Sequence, residues 1–171
     1  MTDEFERRHG FAPGPNEVRP ANRDDRTAAR ALALALARAS LVPADLVTFY
    51  DTIGDITWSD VGNGHFLDPA SDVLLRLQEY GPVDLGTNQR AHGLAIGSDG
   101  GGLSYVVGPD GSVHRTRTAS LDEPELDKLA DDLRQFLELL ERTLTNGGVK
   151  DAAHDVQVQD LAFGRFRRSE P

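Results

Sequence analysis

Apolar residues recur every three or four positions at Leu126, Leu129, Ala130, Leu133, Phe136, Leu137, Leu140 and Leu144. That period is one face of an α-helix, so it predicts a long C-terminal amphipathic helix. Pro124 stands near its start and Asn146-Gly147-Gly148 just beyond its end. The opposite face is acidic, with Glu125, Asp131, Asp132, Glu138 and Glu141. Leu46, Phe49, Tyr50 and Ile53 repeat the period over a shorter stretch, entered at Pro43 and closed near Gly54. The Ala/Leu-rich run from Thr27 to Ala39 has strong helix propensity and is apolar nearly all round. It predicts a helix that is well buried or faces a partner. Asn22 fits its N-cap, with Asp24 and Asp25 in the first turn. Val73, Leu74, Leu77 and Tyr80 predict a short helix capped by Asp68 or Ser71 and ended by Gly81-Pro82.

Between the helices the period shortens. Ile56-Thr57-Trp58-Ser59 and His65-Phe66-Leu67 read as short strands around a turn at Val61-Gly62-Asn63-Gly64. Residues 83–91 read as a polar connection. From about 93 to 118 the chain runs strand, glycine turn, strand, Asp-Gly turn, strand. Gly97, Asp99, Gly100, Gly101 and Gly102 form the first of these turns. Glycine reaches positive φ without steric cost, so Gly100 or Gly101 is expected there or in a close backbone approach. A phosphate cradle sets its glycines between a strand and a helix; here a strand follows, and the P-loop Lys is missing. A calcium loop needs alternating carboxylates, whereas Asp99 and Asp110 stand alone.

The elements together predict an α+β fold: a twisted, mainly antiparallel β-sheet packed by helices. Residues 1–21, with Pro13, Pro15 and Pro20, read as a flexible arm, residues 22–146 as one domain, and residues 147–171 as an appendage. That appendage holds a basic-aromatic cluster, Arg165-Phe166-Arg167-Arg168.

Charge and composition narrow the function. The 171 residues suit one domain, and the absence of Cys excludes disulfides, thiolate chemistry and Cys-based zinc sites. No apolar run approaches the ~20 residues of a membrane span. Met1-Thr2-Asp3-Glu4 lacks the basic start of a secretory signal, so a cytoplasmic protein is expected. Lys is confined to Lys128 and Lys150 while Arg is abundant, a bias read as the base composition of a GC-rich bacterial genome. The net charge of −10 argues against nucleic-acid binding and permits a basic protein partner. Between Arg38 and Arg76 there is no Lys or Arg, but Asp45, Asp51, Asp55, Asp60, Asp68 and Asp72. Their plain role is a solubilising surface, and Trp58 fits the core. The sharper expectation is a partner-binding patch in which Asp51, Asp55 and Asp60 steer a cationic protein and Trp58, if exposed, anchors it, with the acidic outer face of the last helix as the alternative contact. The five histidines show no metalloprotease spacing, and no nucleophile elbow is present. His65 and His92 sit near strand ends where they can meet in space. No catalytic residue, metal ligand or cofactor is expected.

The order of these motifs resembles a family. Leu41-Val42-Pro43 opens a helix that closes with Phe49-Tyr50, and a glycine turn with short strands follows from Gly54 to Phe66. Then come Ile96-Gly97-Ser98-Asp99-Gly100-Gly101-Gly102, Tyr105, a Gly/Asp turn, Val113, and a final helix with Phe136-Leu137. Over about residues 27–144 this resembles the SUKH superfamily, which includes a fungal cell-wall-synthesis regulator and many bacterial proteins. The resemblance implies binding and not catalysis. Many bacterial members look like immunity proteins that neutralise toxins, often nucleases, and an acidic inhibitor suits a basic nuclease. The alternative is a housekeeping regulatory or scaffold protein of the same fold; a small hydrolase is a third reading, and it requires a concave pocket with convergent polar groups.

Overall fold

A computed structural model describes residues 14–41, 44–59, 63–86, 91–122 and 124–146. Within them lie four helices and eight strands: β1 (Asn16–Pro20), α1 (Arg23–Arg38), α2 (Ala44–Thr52), β2 (Ile53–Trp58), β3 (His65–Leu67), α3 (Ala70–Tyr80), β4 (Val83–Asp84), β5 (His92–Asp99), β6 (Ser104–Val107), β7 (Val113–Thr116), β8 (Leu126–Ala130) and α4 (Leu133–Asn146). The strands form one antiparallel sheet in the order β1-β2-β3-β5-β6-β7-β8, with β4 also on β5. The expected α+β class holds. Among the described residues no helix is long and apolar enough to cross a membrane.

All four helices supply one core. Leu32 and Leu36 of α1, Leu46 and Phe49 of α2, Val73 of α3, and Phe136 and Leu140 of α4 meet Trp58, Leu67, Ile96 and Val113 of the sheet. Strand alternation sends Ala95 and Val106 to the other face, where they meet Val83 in a small second cluster. The Tyr50 hydroxyl is the one buried side-chain polar atom among the described residues with no hydrogen-bond partner.

Both tight turns of the meander share one geometry. Asp99 N donates to Leu103 O at 2.9 Å and Gly102 N to Asp99 O at 3.0 Å; Gly108 N donates to Ser112 O at 2.8 Å and Gly111 N to Gly108 O at 3.0 Å. Each loop closes on a glycine with positive φ, Gly102 at 82° and Gly111 at 87°. These are three-residue hairpin loops, which need a left-handed residue at that position. Of the two alternatives expected for Gly100 and Gly101, positive φ falls instead on Gly102, and close backbone approach is met at Gly100. Close approach does hold for Gly97 and Gly100, where a Cβ would run into the carbonyls of Phe66 and Asn63.

Several boundaries differ from the sequence reading. Residues 16–20 are a strand and not part of an arm, because their backbone pairs with β2 from Trp58 to Ile53. Arg19 pins that strand: its guanidinium bonds Asp25 of α1 at 2.6 and 3.1 Å and Asp55 of β2 at 2.6 Å. The C-terminal helix starts at Leu133 and not near Leu126, since Leu126–Ala130 pair with β7. Asp132 sets the start, its carboxylate accepting from Gln135 N at 2.7 Å as an N-cap does. Asn22 caps α1 as expected, with a reciprocal bond to Asp25. The helix is not buried all round: Ala29, Leu32 and Leu36 are inside, and Leu34 is 63% exposed. No side chain caps α3, whose N-cap position is Pro69. The expectation for residues 147–171 lies outside the described residues, as do those for residues 1–13 and Pro43.

Candidate binding surface

The acidic patch expected around Trp58 does not assemble. Trp58 is 2% exposed and lies in the main core. Asp55 is three residues before it in the same strand, an odd separation that puts the two on opposite faces. Asp55 is also held by Arg19, so its charge is compensated locally. Asp51 is exposed at the end of α2. Asp60 lies outside the described residues. Trp58 is therefore no anchor, and Asp55 does not share its face.

The glycine-turn residues are brought together, in a structural role. Asp99 is 7% exposed, and its Oδ1 accepts from the amides of Gly101 and Leu103, both at 2.9 Å. Arg115 lies 3.8 Å from its other oxygen. Beside them the Tyr105 hydroxyl shares a 2.6 Å hydrogen bond with His65 Nδ1. Burial pushes the Tyr105 phenol up to about 12 and pulls the His65 imidazole below its ordinary value, opposed there by Asp99. His65 and His92 do not meet: they pair with Asp99 and Asp84, near opposite ends of β5.

A cluster missed in the sequence joins Asp110, Ser112 and His114. Ser112 Oγ donates to Asp110 Oδ1 at 2.6 Å and lies 2.9 Å from His114 Nε2. Two local signals were available: a turn Asp bonds the backbone two residues on, as Asp110 does with Ser112 N at 3.0 Å, and alternate residues entering a strand, Ser112 and His114, share a face. The hydroxyl proton is engaged by the carboxylate, and Ser112 is 3% exposed. The arrangement braces the turn before β7; it does not present a free nucleophile.

A concave feature lies against α3. This helix buries Ala70 and Val73 and leaves Leu75 61% and Tyr80 75% exposed. It fills a gap along β5, which pairs with β3 at one end and with β4 at the other. In that gap Arg76 donates to the backbone oxygen of Ala95 at 3.2 Å and to Asp68 at 2.7 Å. The guanidinium thus ties α3 to the backbone of β5, and its charge is balanced by Asp68. A groove of about 350 Å³ there is lined by Arg76, Leu77 and Tyr80 of α3, Val83 of β4, Leu94 of β5 and Leu121 of the loop before β8. The exposed Asp122 is also among the lining residues, and the exposed Glu79 precedes Tyr80 on the helix.

This geometry suits a protein side chain or short segment with an apolar body and a cationic end. The walls are apolar, one aromatic ring stands exposed at the edge, and the charge not already paired is negative. The sequence named Leu77 and Tyr80 as one helix face, but the loop at 119–122 that closes the groove carries no local signal. Among the described residues no group of three or more His, Asp or Glu is placed to hold a metal ion. No known protein family's model matches the chain, and no curated protein matches it.

Proposed function

We propose that the chain is a protein-binding domain for a basic partner, and that it acts as an immunity protein against a bacterial toxin such as a nuclease. The carrying observation is the groove beside α3, lined mainly by Leu77, Val83, Leu94 and Leu121, with the exposed Tyr80 and Asp122 also in its lining and Glu79 next to Tyr80 on the helix. An exposed aromatic beside a desolvated pocket is the usual make-up of an interface anchor. Carboxylates around it speed the approach of a cationic partner and reject anionic ones. The net charge of −10 acts in the same direction over longer range. The resemblance to SUKH proteins adds the class of partner.

The test begins with a partner captured from the native host and identified. Its association with the parent protein is then measured against ionic strength. Tyr80→Ala is expected to weaken binding at least tenfold, and Asp122→Lys to slow association, each with the fold retained. Affinity for that partner untouched by both substitutions, or an acidic partner surface mapped to the groove itself, overturns the reading. Co-expression separates the immunity role from a housekeeping scaffold: only in the first does this chain protect cells from the partner's toxicity.

A further inference from the structure

The described cations are divided in an unusual way. Arg19, Arg76, Arg115, Arg117, Lys128 and Arg134 all sit in ion pairs with acids of their own chain. Arg142 on α4 aside, the described cations that form no ion pair are Arg23, Arg26, Arg30 and Arg38, all four of them exposed, with Arg26 donating to the Asp51 backbone oxygen at 3.4 Å. They lie on one helix, α1, and with Leu34 they follow one another at steps of three and four residues, 23-26-30-34-38. Such steps trace a single stripe along a helix. The stripe lies opposite Ala29, Leu32 and Leu36, which are buried in the core. An acidic protein therefore carries one basic helix face, about 22 Å long at 1.5 Å per residue. Leu34 stands in its centre, 63% exposed.

We propose that this face of α1 docks an acidic protein segment, with the arginines on its carboxylates and Leu34 under an apolar residue. Charge complementarity selects an anion, and the remaining features select a protein. A nucleic-acid duplex extends well past the stripe and meets the field of a body with net charge −10. Phosphates also have no use for a leucine in the centre. A membrane-surface helix needs its apolar face in the lipid, and here that face is in the core. A short acidic segment covers the stripe without reaching the acids beyond it. None of the groove's lining residues belongs to α1, so this surface stands independently of the one assigned above and has the opposite sign.

The test uses the full chain and three probes: a 16-residue acidic helical peptide with glutamates on one stripe and one leucine among them, a 16-base-pair DNA duplex, and vesicles of anionic phosphatidylglycerol. Binding is followed by titration at low and at physiological salt. The peptide is expected to bind most tightly of the three and to weaken as salt rises. Arg30→Glu with Arg38→Glu should weaken it at least tenfold, and Leu34→Ser about threefold. Tyr80→Ala, in the groove, should leave it unchanged. Circular dichroism and melting confirm that each variant is folded. Tighter binding of the duplex or the vesicles overturns the proposal, as does peptide affinity indifferent to the charge reversals.

Discussion

The Asp99 carboxylate reaches across its own turn and accepts the Leu103 amide at 2.9 Å, while the Leu103 carbonyl accepts the Asp99 amide at the same distance. The side chain thus completes a hairpin that the backbone has already closed, and holds the Gly101 amide as well. Asp99→Ala is expected to cost about 1–3 kcal/mol, because two turn amides lose a charged, buried acceptor. Asp99→Asn should recover part of the loss. Urea denaturation gives the comparison, and a parental midpoint for the alanine variant would show that the carboxylate is not what holds the turn.

The glycines of this loop differ in why they are needed. Gly97 and Gly100 have no room for a Cβ, whereas Gly102 has room but a φ of 82°. Gly97→Ala and Gly100→Ala must move backbone, at a cost of about 1–3 kcal/mol or more. Gly102→Ala keeps the contacts and takes the strain of a left-handed residue, about 1 kcal/mol. Melting temperatures should therefore fall further for the first two. The reverse order would mean that torsion and not close packing limits this loop.

Tyr50 offers a stabilising change. Its ring packs edge-on against Phe49 with centroids 5.0 Å apart, but its hydroxyl has no partner. Burial holds the phenol far above its ordinary pKa, helped by Asp68. Tyr50→Phe keeps the ring and removes the unpaired group, so stability should hold or rise by up to about 1 kcal/mol. A clear loss on calorimetry would show that the hydroxyl is satisfied in solution.

Acid should weaken the fold before any carboxylate is protonated. Burial lowers the pKa of both His65 and His114 in the folded chain. With unfolded values near 6.5, the unfolded chain binds more protons below that pH. The stability these two contribute is complete above about pH 7 and is lost as the pH falls through 6.5 toward the lowered folded values. Unfolding at pH 7.5 and 5.5 should show the drop, and His65→Gln with His114→Gln should flatten it. An unchanged pH slope in the double variant would place the titration elsewhere.

The sequence carried the meander and the period of the helices because those signals are local: glycine turns, alternation, and apolar residues at helical spacing. Leu126, Leu129 and Ala130 misled because they continue the helical period. Pairing with β7 overrides it, and the Asp132 cap fixes where the helix begins. Asn16–Pro20 was read as arm because five residues flanked by prolines show no period of their own; a distant strand and Arg19 make them a strand. The expected patch failed on a point the sequence did contain, since Asp55 and Trp58 at odd spacing in one strand cannot share a face. The groove was not legible, because its walls come from α3, β4, β5 and the loop before β8. Chain separation hides such a site until the sheet order is known.

The clamp formed by Arg19 has a kinetic consequence. Strands β5 to β8 join their neighbours through short connections, but β1 meets β2 only after α1 and α2 have been laid down between them. Closing that long loop makes β1 the strand expected to join last and leave first. When it leaves, the same arginine lets go of Asp25 at the start of α1 and Asp55 in β2. Hydrogen exchange at Val18 should therefore rise and fall together with exchange in the first turn of α1, as one opening event, while the meander stays shut. The N-terminal strand works as a latch, and its release is registered at once in the helix and the strand beside it.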